Sequence, residues 1–519
     1  MKINKLSLTT LLVFVLLEAS LFAQGYITVT DNSRINMSSE TQLIIPGDLT
    51  INSGSIVSLS GNLTISGDLL NNAGSSGFVI TSDATCTGSL IVNGAGGDAS
   101  TQRYLAAATW DDWEDGWHFV SSPVADYPIQ GNFTVATAAD YDFYAWSEVN
   151  NLWINFKNTG TSPTFLEVNG SNTFELGHGY MVAYKTTSTK EITGAINVSD
   201  VSISGLTITG SKDTYYSWHL LGNPFPSALT WDASVDWGKT NIAGTAKIWN
   251  EANKSYTTLS AGDPIPATNG FMVQASGGTG SLTIPKSKRV HNAQAFYKNA
   301  DYPLIKLKAN NIDNPSAQES EIRFNPASTT NYDLEFDSDF LPGYAPSFFS
   351  YIVDRQMAVN SMPIVDKTTT VPFTFIKNEG LNFSIEMYEE EGMLMDVWLL
   401  DHKNGNRQNL SENSTYLFTA FEADKAERFE IQFSAVGIDE ENNLEPDLQI
   451  WASAKTIHIL NPDLLEGTIK VFNMLGQNLN QYKLSGGGKE QFTCNLPVGN
   501  YIVQIVCPTQ IVSKKVFIN

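Results

Sequence analysis

Two glutamates at matching places in an internal repeat are the side chains of this sequence best suited to acid–base chemistry. Glu148 lies in YAWSEVNNLW and Glu251 in KIWNEANKSY. Hydrolysis of a glycosidic bond needs two carboxylates roughly 5–10 Å apart across a cleft. Both glutamates, however, stand beside asparagine-rich turn residues, and duplicated hairpin tips explain them better than a catalytic pair does.

The remaining signatures of catalysis are missing. His118 and His219 each follow a tryptophan at matching places, which indicates a half-buried, hydrogen-bonding ring in a duplicated strand. None of the six histidines lies in an HExxH or CxxC-type setting, so zinc has no support. The sequence also lacks a GxSxG nucleophile elbow. We therefore expect a protein that is not an enzyme.

Alternating carboxylates give the one candidate for a metal site. In a loop they could chelate Ca²⁺ through oxygen, although the EF-hand glycine is missing, and a solvated acidic loop is the simpler interpretation. These residues are Asp333, Glu335, Asp337 and Asp339. A second acidic cluster, Asp111 to Asp115, is similar. The expectation is no cofactor, with calcium left open.

Tryptophans concentrate in the repeated region, which holds nine of the eleven. Pairs matched between the copies, such as Trp117 and Trp218, are expected in the core. The unmatched Trp110 and Trp113 stand among carboxylates, where flat rings could stack on sugars. They are the candidate ligand-binding residues.

Composition excludes some partners. The 519 residues carry 31 Lys and Arg against 54 Asp and Glu, a formal charge of −23. Such an acidic excess argues against nucleic acid and anionic lipid as partners. With 42% hydrophobic residues the chain has enough apolar side chains to fold. Of three cysteines, Cys494 and Cys507 could pair, and the sequence leaves that open.

The N-terminal half predicts three kinds of segment. Residues 1–23 have the charged start, short apolar run and small residues of a secretory signal peptide, and no later segment is long enough to span a membrane. Residues 25–98 repeat short alternating strands (GDLTINSG, GNLTISGD, GSLIVNGA), which favours a parallel β-coil over a hairpin meander. Residues 99–294 form a duplicated, tryptophan-rich β module.

The duplication is carried by three motifs in the same order. WHFVSSPV matches WHLLGNPF, the two glutamate-containing segments match, and HGYMVAY matches NGFMVQA. Each copy is expected to begin at its Trp-His strand, and the two copies to pack together by pseudo-symmetry.

The C-terminal half predicts two more β domains. Residues 295–436 alternate like an antiparallel β-sandwich, 437–446 read as an acidic linker, and 447–519 are long enough for a small sandwich. The whole chain is thus expected to be all-β.

The last 70 or so residues resemble the type A C-terminal sorting domain of type IX secretion cargo. The resemblance rests on TIKVFNMLGQ (468–477), LPVGNYIVQI (496–505) and KKVFI (514–518), whose motif residues are Gly476, Gln477, Leu496, Gly499, Tyr501, Lys514 and Lys515. It implies an Ig-like sandwich and delivery through the type IX machinery, after which the domain is removed and the cargo is anchored or released. The start of the domain, LQIWASAKTIHIL, departs from the usual opening and leaves the processing point open. WHLLGNPFPSALTW and IRFNPASTTNYDLEFD also resemble uncharacterised modules of large exported proteins.

Together these features predict an exported structural or adhesion protein, secreted or held on the outer surface. Surface polysaccharide or other surface proteins are the expected partners. Two alternatives stay open: a carbohydrate-binding protein that uses its exposed tryptophans, and, less favoured, a polysaccharide or peptide hydrolase.

Overall fold

The protein is built almost entirely of strands, which confirms the all-β prediction. The computed structural model describes residues 25–30, 32–110, 112–209, 217–231, 235–291, 302–363, 365–366, 368–435, 449–453, 455–461, 464–473, 476–507 and 511–518. The predicted signal peptide and acidic linker lie outside them. The chain divides into two compact units, Met1–Val436 and Gly437–Asn519. Within the described residues, no helix has the length and apolar character needed to cross a membrane.

The first part of the larger unit is a parallel β-coil of three rungs, as predicted. Its strands are β1 (Ile27–Val29), β2 (Arg34–Met37), β3 (Gln42–Ile45), β4 (Leu49–Ile51), β5 (Ile56–Leu59), β6 (Asn62–Ile65), β7 (Leu69–Asn71), β8 (Phe78–Ile80) and β9 (Ser89–Val92). Each strand pairs in parallel with the strand one rung further on, as β1 does with β4 and β4 with β7. Inward Leu and Ile side chains stack in columns and form a continuous core.

One corner of the coil explains the repeated Gly-Asp. The Asp48 carboxylate accepts from the backbone N–H of Asp68 at 2.8 Å, and Asp68 accepts in turn from Ala95 at 2.7 Å. A Cβ on Gly67 would lie 2.1 Å from Asp48 Oδ1, so a larger residue does not fit there. The aspartate ladder therefore holds successive rungs in register.

The duplicated module follows. Its first copy comprises β10 (Asp98–Leu105), β11 (His118–Val120), β12 (Tyr127–Pro128), β13 (Tyr141–Ser147), β14 (Leu152–Asn155), α1 (Phe165–Asn169), β15 (Thr173–Phe174), β16 (Tyr180–Tyr184) and β17 (Ser188–Ala195). Its second copy comprises β18 (Val201–Leu206), β19 (Trp218–Gly222), β20 (Ala228–Thr230), β21 (Ile242–Asn250), β22 (Ser255–Leu259), β23 (Pro264–Ile265), β24 (Gly270–Ala275) and β25 (Gly280–Ile284), and β26 (Arg289–Val290) extends it. Short 3-10 helices lie at Ser75–Gly77, Ala138–Asp140, Val235–Trp237 and Lys286–Lys288.

The two copies share one topology. The main sheets run β11-β16-β13-β14 and β19-β24-β21-β22, and β10 pairs with β17 as β18 does with β25. Each copy thus has one further strand before its Trp-His strand, β10 in the first copy and β18 in the second. The first strand of the first copy, β10, also pairs in parallel with β8 and so continues a sheet of the coil. β10 and β18 carry no shared sequence motif, and their equivalence is visible only in their pairing with β17 and β25.

The rest of the larger unit is one long sheet. Its strands are β27 (Leu304–Asn311), β28 (Ser316–Phe324), β29 (Ser338–Asp339), β30 (Ser347–Ile352), β31 (Arg355–Met362), β32 (Thr370–Ile376), β33 (Asn382–Glu391), β34 (Met395–Asp401), β35 (Asn406–Asn409), β36 (Thr415–Thr419) and β37 (Glu427–Ala435). They run in the order β35-β34-β37-β32-β30-β31-β28-β27-β33-β36, with β29 beside β31 and only β28–β31 parallel. Phe375 on β32 meets Phe383 on β33 and Phe418 on β36 at 5.1 and 5.0 Å, so the sheet folds over itself around one core.

The smaller unit is a two-sheet sandwich. Its strands are β38 (Gln449–Ser453), β39 (Thr456–Leu460), β40 (Glu466–Phe472), β41 (Asn478–Ser485), β42 (Lys489–Thr493), β43 (Gly499–Val506) and β44 (Ile511–Ile518). The sheets, β38-β39-β42 and β41-β40-β43-β44, share one hydrophobic core. Cys494 and Cys507 are both unbonded in that core, and Cys86 is also free.

Candidate functional site

Aromatic side chains pack the two copies of the module together. Phe119 from the first copy joins Trp218 and Tyr256 from the second in one buried cluster. Trp146 Nε1 donates to the Trp218 carbonyl oxygen at 2.7 Å, and the Trp249 ring packs edge-on to Tyr256 at 5.1 Å. Of the matched tryptophans, Trp218 is buried in this cluster and Trp146 and Trp249 pack against it, whereas Trp117 is half-buried outside it.

This packing places the two matched glutamates on equivalent hairpin turns. The Glu148 carbonyl oxygen accepts from Asn151 N at 3.1 Å, and the Glu251 carbonyl oxygen accepts from Lys254 N at 3.2 Å. Asn151 and Lys254 both take the left-handed backbone, with φ of 51° and 53°. The predicted hairpin tips are thus present in both copies.

Each glutamate interacts with the histidine of the other copy rather than with the other glutamate. His118 Nδ1 lies 3.1 Å from Glu251 Oε2, and the Glu148 carboxylate acts electrostatically on His219. The other ring nitrogen donates to a carbonyl oxygen twelve residues upstream in each copy. His118 Nε2 reaches Ala106 at 3.1 Å, and His219 Nε2 reaches Thr207 at 2.8 Å. The pseudo-symmetric packing therefore produces two exchanged His–Glu pairs.

The two pairs differ in charge. Burial opposes ionisation of Glu148, but hydrogen bonds from Thr207 Oγ1 (2.7 Å), Thr209 N (2.8 Å) and Thr209 Oγ1 (2.7 Å) hold its pKa below the usual value. Burial, with Asp115 nearby, raises the pKa of Glu251 to about 7 despite Arg103. Glu148 is thus a satisfied structural anion, whereas Glu251 titrates near neutral pH.

The pKa of His118 is lowered, whereas a histidine in an ordinary ion pair has a raised pKa. Burial, together with the Arg103 guanidinium, lowers its pKa to about 4, although the Ala106 hydrogen bond opposes the change. A carbonyl oxygen only accepts, so Nε2 of the neutral ring keeps its proton and Nδ1 is a lone-pair acceptor. Glu251 must then be protonated to donate to Nδ1. The contact is a neutral hydrogen bond just below neutral pH.

Beside this pair lies an exposed tryptophan. The Trp113 surface, as we define it, comprises Asp112, Trp113, Glu114, Lys254 and Tyr344. Trp113 is 67% exposed, and the Tyr344 ring packs against it edge-on at 4.8 Å. Tyr344 N donates to the Lys254 carbonyl oxygen at 2.8 Å, and Lys254 Nζ lies 3.7 Å from Asp112 Oδ2. Three distant segments thus meet around one indole ring.

The electrostatics of this surface are acidic. Burial raises the pKa of Glu114, and the neighbouring Glu379 and Asp112 carboxylates add to the rise. Trp110, the other ligand candidate, is half-buried, and Asp111 lies outside the described residues. Sequence reasoning found Trp113 but missed Lys254 and Tyr344, because neither carries a local signal.

The proposed calcium ligands do not come together around a cation. They lie on a turn that leads into β29, where Asp337 accepts from Asp333 N and Ser361 N, both at 2.7 Å. Asp339 is held by Arg355 and by Gln274 Nε2 at 2.7 Å, while Glu335 is exposed. Among the described residues, no group of three or more His, Cys, Asp or Glu side chains is placed to hold a metal ion. Backbone N–H groups bind Asp337, and Arg355 binds Asp339, instead.

The residues that the sequence assigns to a sorting motif lie on the framework of the smaller unit. Gly476 (φ 78°) and Gln477 belong to the turn between β40 and β41, where Gln477 N donates to Asn473 Oδ1 at 3.0 Å. Tyr501 is buried and its hydroxyl donates to the Pro497 carbonyl oxygen at 2.8 Å. The others are Leu496, which packs on the core, Gly499, which opens β43, and the exposed Lys514 and Lys515 on β44.

A cleft of about 580 Å³ opens elsewhere in the larger unit. One wall comes from β22 and the following loop of the second copy, and the other comes from the outer face of β27, β28 and β33. Burial raises the pKa of Asp263 in this cleft. No sequence signal pointed to it, because its walls join segments distant along the chain.

Comparison with known proteins adds one match. Residues 258–433 are similar to a family described as a domain of unknown function (DUF8693). The match begins in β22 and ends in β37, and most of the residues that line the cleft fall inside it. No curated protein is significantly similar to the chain.

Proposed function

We propose that this is an exported, non-enzymatic structural or adhesive protein that acts at the cell surface or in the medium. The observation that carries the proposal is the Trp113 surface. A large indole, 67% exposed and supported edge-on by Tyr344, is placed for contact with a partner rather than for packing. The parallel coil, with its register held by backbone pairing, suits a rigid spacer.

The same observation favours carbohydrate as the contacted surface. Sugar rings stack on indoles, and the neighbouring Asp112 and Glu114 carboxylates supply acceptors for hydroxyl groups. A hydrolase draws less support, because Glu148 is saturated with hydrogen bonds and Glu251 pairs with His118. Carbohydrate recognition is therefore the second candidate function, and hydrolysis the third.

Replacing Trp113 by alanine is expected to weaken binding to a glycan array at least about tenfold, through loss of stacking. The free energy of unfolding should change by less than about 1 kcal/mol, since the backbone oxygen that Trp117 Nε1 contacts remains. Phe421→Ala, which removes another aromatic ring that is 51% exposed, is the matched control and should leave binding unchanged. Equal binding by the Trp113 variant and its parent would refute the glycan contact.

Delivery by type IX secretion is part of the proposal. The resemblance of 447–519 to a type A sorting domain supports it, as does the compact, separate unit that begins at Gly437. In a bacterium with a type IX translocon, deletion of 447–519 should trap the protein inside the outer membrane, as cell fractionation and surface labelling would report. Limited proteolysis of the truncated chain checks that the larger unit is folded. Normal surface display of that folded truncation contradicts the sorting role.

A further inference from the structure

The cleft between the second copy and the long sheet is lined by more acids than bases. Across its floor, Lys306 on β27 is flanked by Glu321 on β28 and Glu389 on β33, and Lys306 Nζ lies 2.9 Å from Glu389 Oε2. Arg323 pairs with Glu321. These ion pairs account for both basic residues of the lining.

Three other carboxylates of the lining lack such partners. Asp263, Glu335 and Glu391 have no cation within 4 Å among the residues that the structure describes. Asp263 Oδ2 accepts from Ser260 N at 2.7 Å, which fixes the carboxylate but leaves its second oxygen available. A cleft lined by more carboxylates than basic groups concentrates cations.

A buried hydroxyl points to a ligand independently of the charges. Thr245 lines the cleft and is only 3% exposed, and its Oγ1 has no hydrogen-bond partner among the described atoms. An unsatisfied buried hydroxyl is unfavourable by about 1–3 kcal/mol. A ligand that donates to Oγ1 would satisfy it.

We propose that this cleft binds a small organic cation that carries protonated amines. Its volume, about 580 Å³, falls in the range of small-molecule sites and is far larger than a metal ion needs. Ammonium groups would donate to Asp263, Glu391 and Thr245 Oγ1. The Tyr302 ring, 38% exposed, offers a face for cation–π contact. The Trp113 surface shares no residue with this site, so either proposal can fail without the other.

Calorimetric titration of the full chain with two kinds of protonated amine tests the inference. Spermidine represents polyamines, and glucosamine represents amino sugars, with N-acetylglucosamine as its uncharged counterpart. We expect one of the amines to bind with a dissociation constant below about 1 mM and to weaken as salt screens the carboxylates. Absence of binding by both amines in that range overturns the proposal, as does N-acetylglucosamine binding in that range with the same affinity as glucosamine.

Substitutions locate the binding. Asp263→Asn and Glu391→Gln should each weaken the amine about tenfold, the effect of losing a charged hydrogen bond. Glu386→Gln is the matched control, since Glu386 lies on β33 outside the cleft lining and should leave affinity within about twofold. Amine binding that is unaffected by the first two variants overturns the assignment.

Thr245→Val separates ligand binding from stability. Because the hydroxyl is unsatisfied without ligand, its removal should leave the melting temperature unchanged or raise it, while weakening the amine severalfold. Unchanged affinity in this variant would remove Thr245 from the site and overturn the role assigned to its hydroxyl.

Discussion

Asparagine in place of Asp401 is expected to lower the free energy of unfolding of the long-sheet domain by about 3–5 kcal/mol. Asp401 is 0% exposed and Arg428 4% exposed. Arg428 Nε donates to Asp401 Oδ1 at 2.9 Å and Nη2 to Oδ2 at 2.7 Å, a bidentate pair inside the fold. Removing one charge of a buried pair leaves the other uncompensated, which is far more destabilising than the pair itself is stabilising.

Hydrogen-bond donors around the pair hold the Asp401 carboxylate in its charged form. The Tyr416 hydroxyl donates to Asp401 Oδ2 at 3.0 Å, and Lys403 N donates to Oδ1 at 3.0 Å. Burial opposes ionisation of Asp401, but these donors and Arg428 hold its pKa below the usual range, so it is charged at neutral pH. Arg428 would retain the 2.8 Å hydrogen bond from Nη1 to the Thr419 carbonyl oxygen and the longer 3.5 Å contact with Asp424.

Urea unfolding at pH 7 gives the measurement. Lys403→Ala is the control, because its pair with Asp424 lies at the surface and removal should lower the free energy of unfolding by less than about 1 kcal/mol. A loss below about 1 kcal/mol for Asp401→Asn would mean that Arg428 is not confined to the fold interior as its 4% exposure indicates.

The fold of the coil and of the paired strands was largely predictable because its signals are local. GDLT and GDLL place glycine and aspartate at one corner of successive rungs, where Asp48 and Asp68 form their ladder. Period-2 alternation also predicted strands in the sandwich segment. The starts of the two copies were not predictable, because β10 and β18 are defined by pairing partners in other strands.

The sequence identified the histidines and glutamates of the site but not how they interact with one another. The duplicated motifs marked His118, His219, Glu148 and Glu251 as equivalent positions, but not that each histidine interacts with the glutamate of the other copy. That exchange is set by the packing of Phe119, Trp218 and Tyr256. Nor could local pattern separate the saturated Glu148 from Glu251, since Thr207 and Thr209 lie about sixty residues from Glu148.

That difference between the pairs leads to a pH-dependent prediction. Glu251→Gln is expected to make the protein progressively less stable than its parent as pH falls from about 6.5 to about 4.5. The difference in free energy of unfolding should reach about 3 kcal/mol, since each pKa unit is equivalent to about 1.4 kcal/mol. The reason lies in how many protons the His118–Glu251 pair binds in the folded and unfolded chains.

In the parent the pair binds one proton in either state over most of this window. The unfolded chain has a charged histidine and an ionised glutamate between their ordinary values of 6.5 and 4.5. The folded chain has a neutral His118 (about 4) and a protonated Glu251 (about 7), which is again one proton. Because the folded and unfolded chains bind equal numbers of protons, the pair does not make the free energy of unfolding depend on pH between about 4.5 and 6.5.

Glu251→Gln removes the carboxylate that binds a proton in the folded parent. The folded pKa of His118 lies below its unfolded value, so this group contributes stability that is present above pH 6.5 and is lost as pH falls through 6.5 toward 4. His118 is 10% exposed on its side chain, and both its burial and the nearby Arg103 remain in the variant. The variant lacks only the Glu251 carboxylate, whose bound proton offsets the proton that His118 loses on folding.

The double variant His118→Gln/Glu251→Gln is the decisive control. With no titratable group left in the pair, its stability difference from the parent should be constant between about pH 4.5 and 6.5. Thermal unfolding of the three proteins at half-unit pH steps provides the comparison. If the single variant instead parallels the parent, then His118 is charged in the folded protein, and the 3.1 Å contact is an ion pair rather than a shared proton.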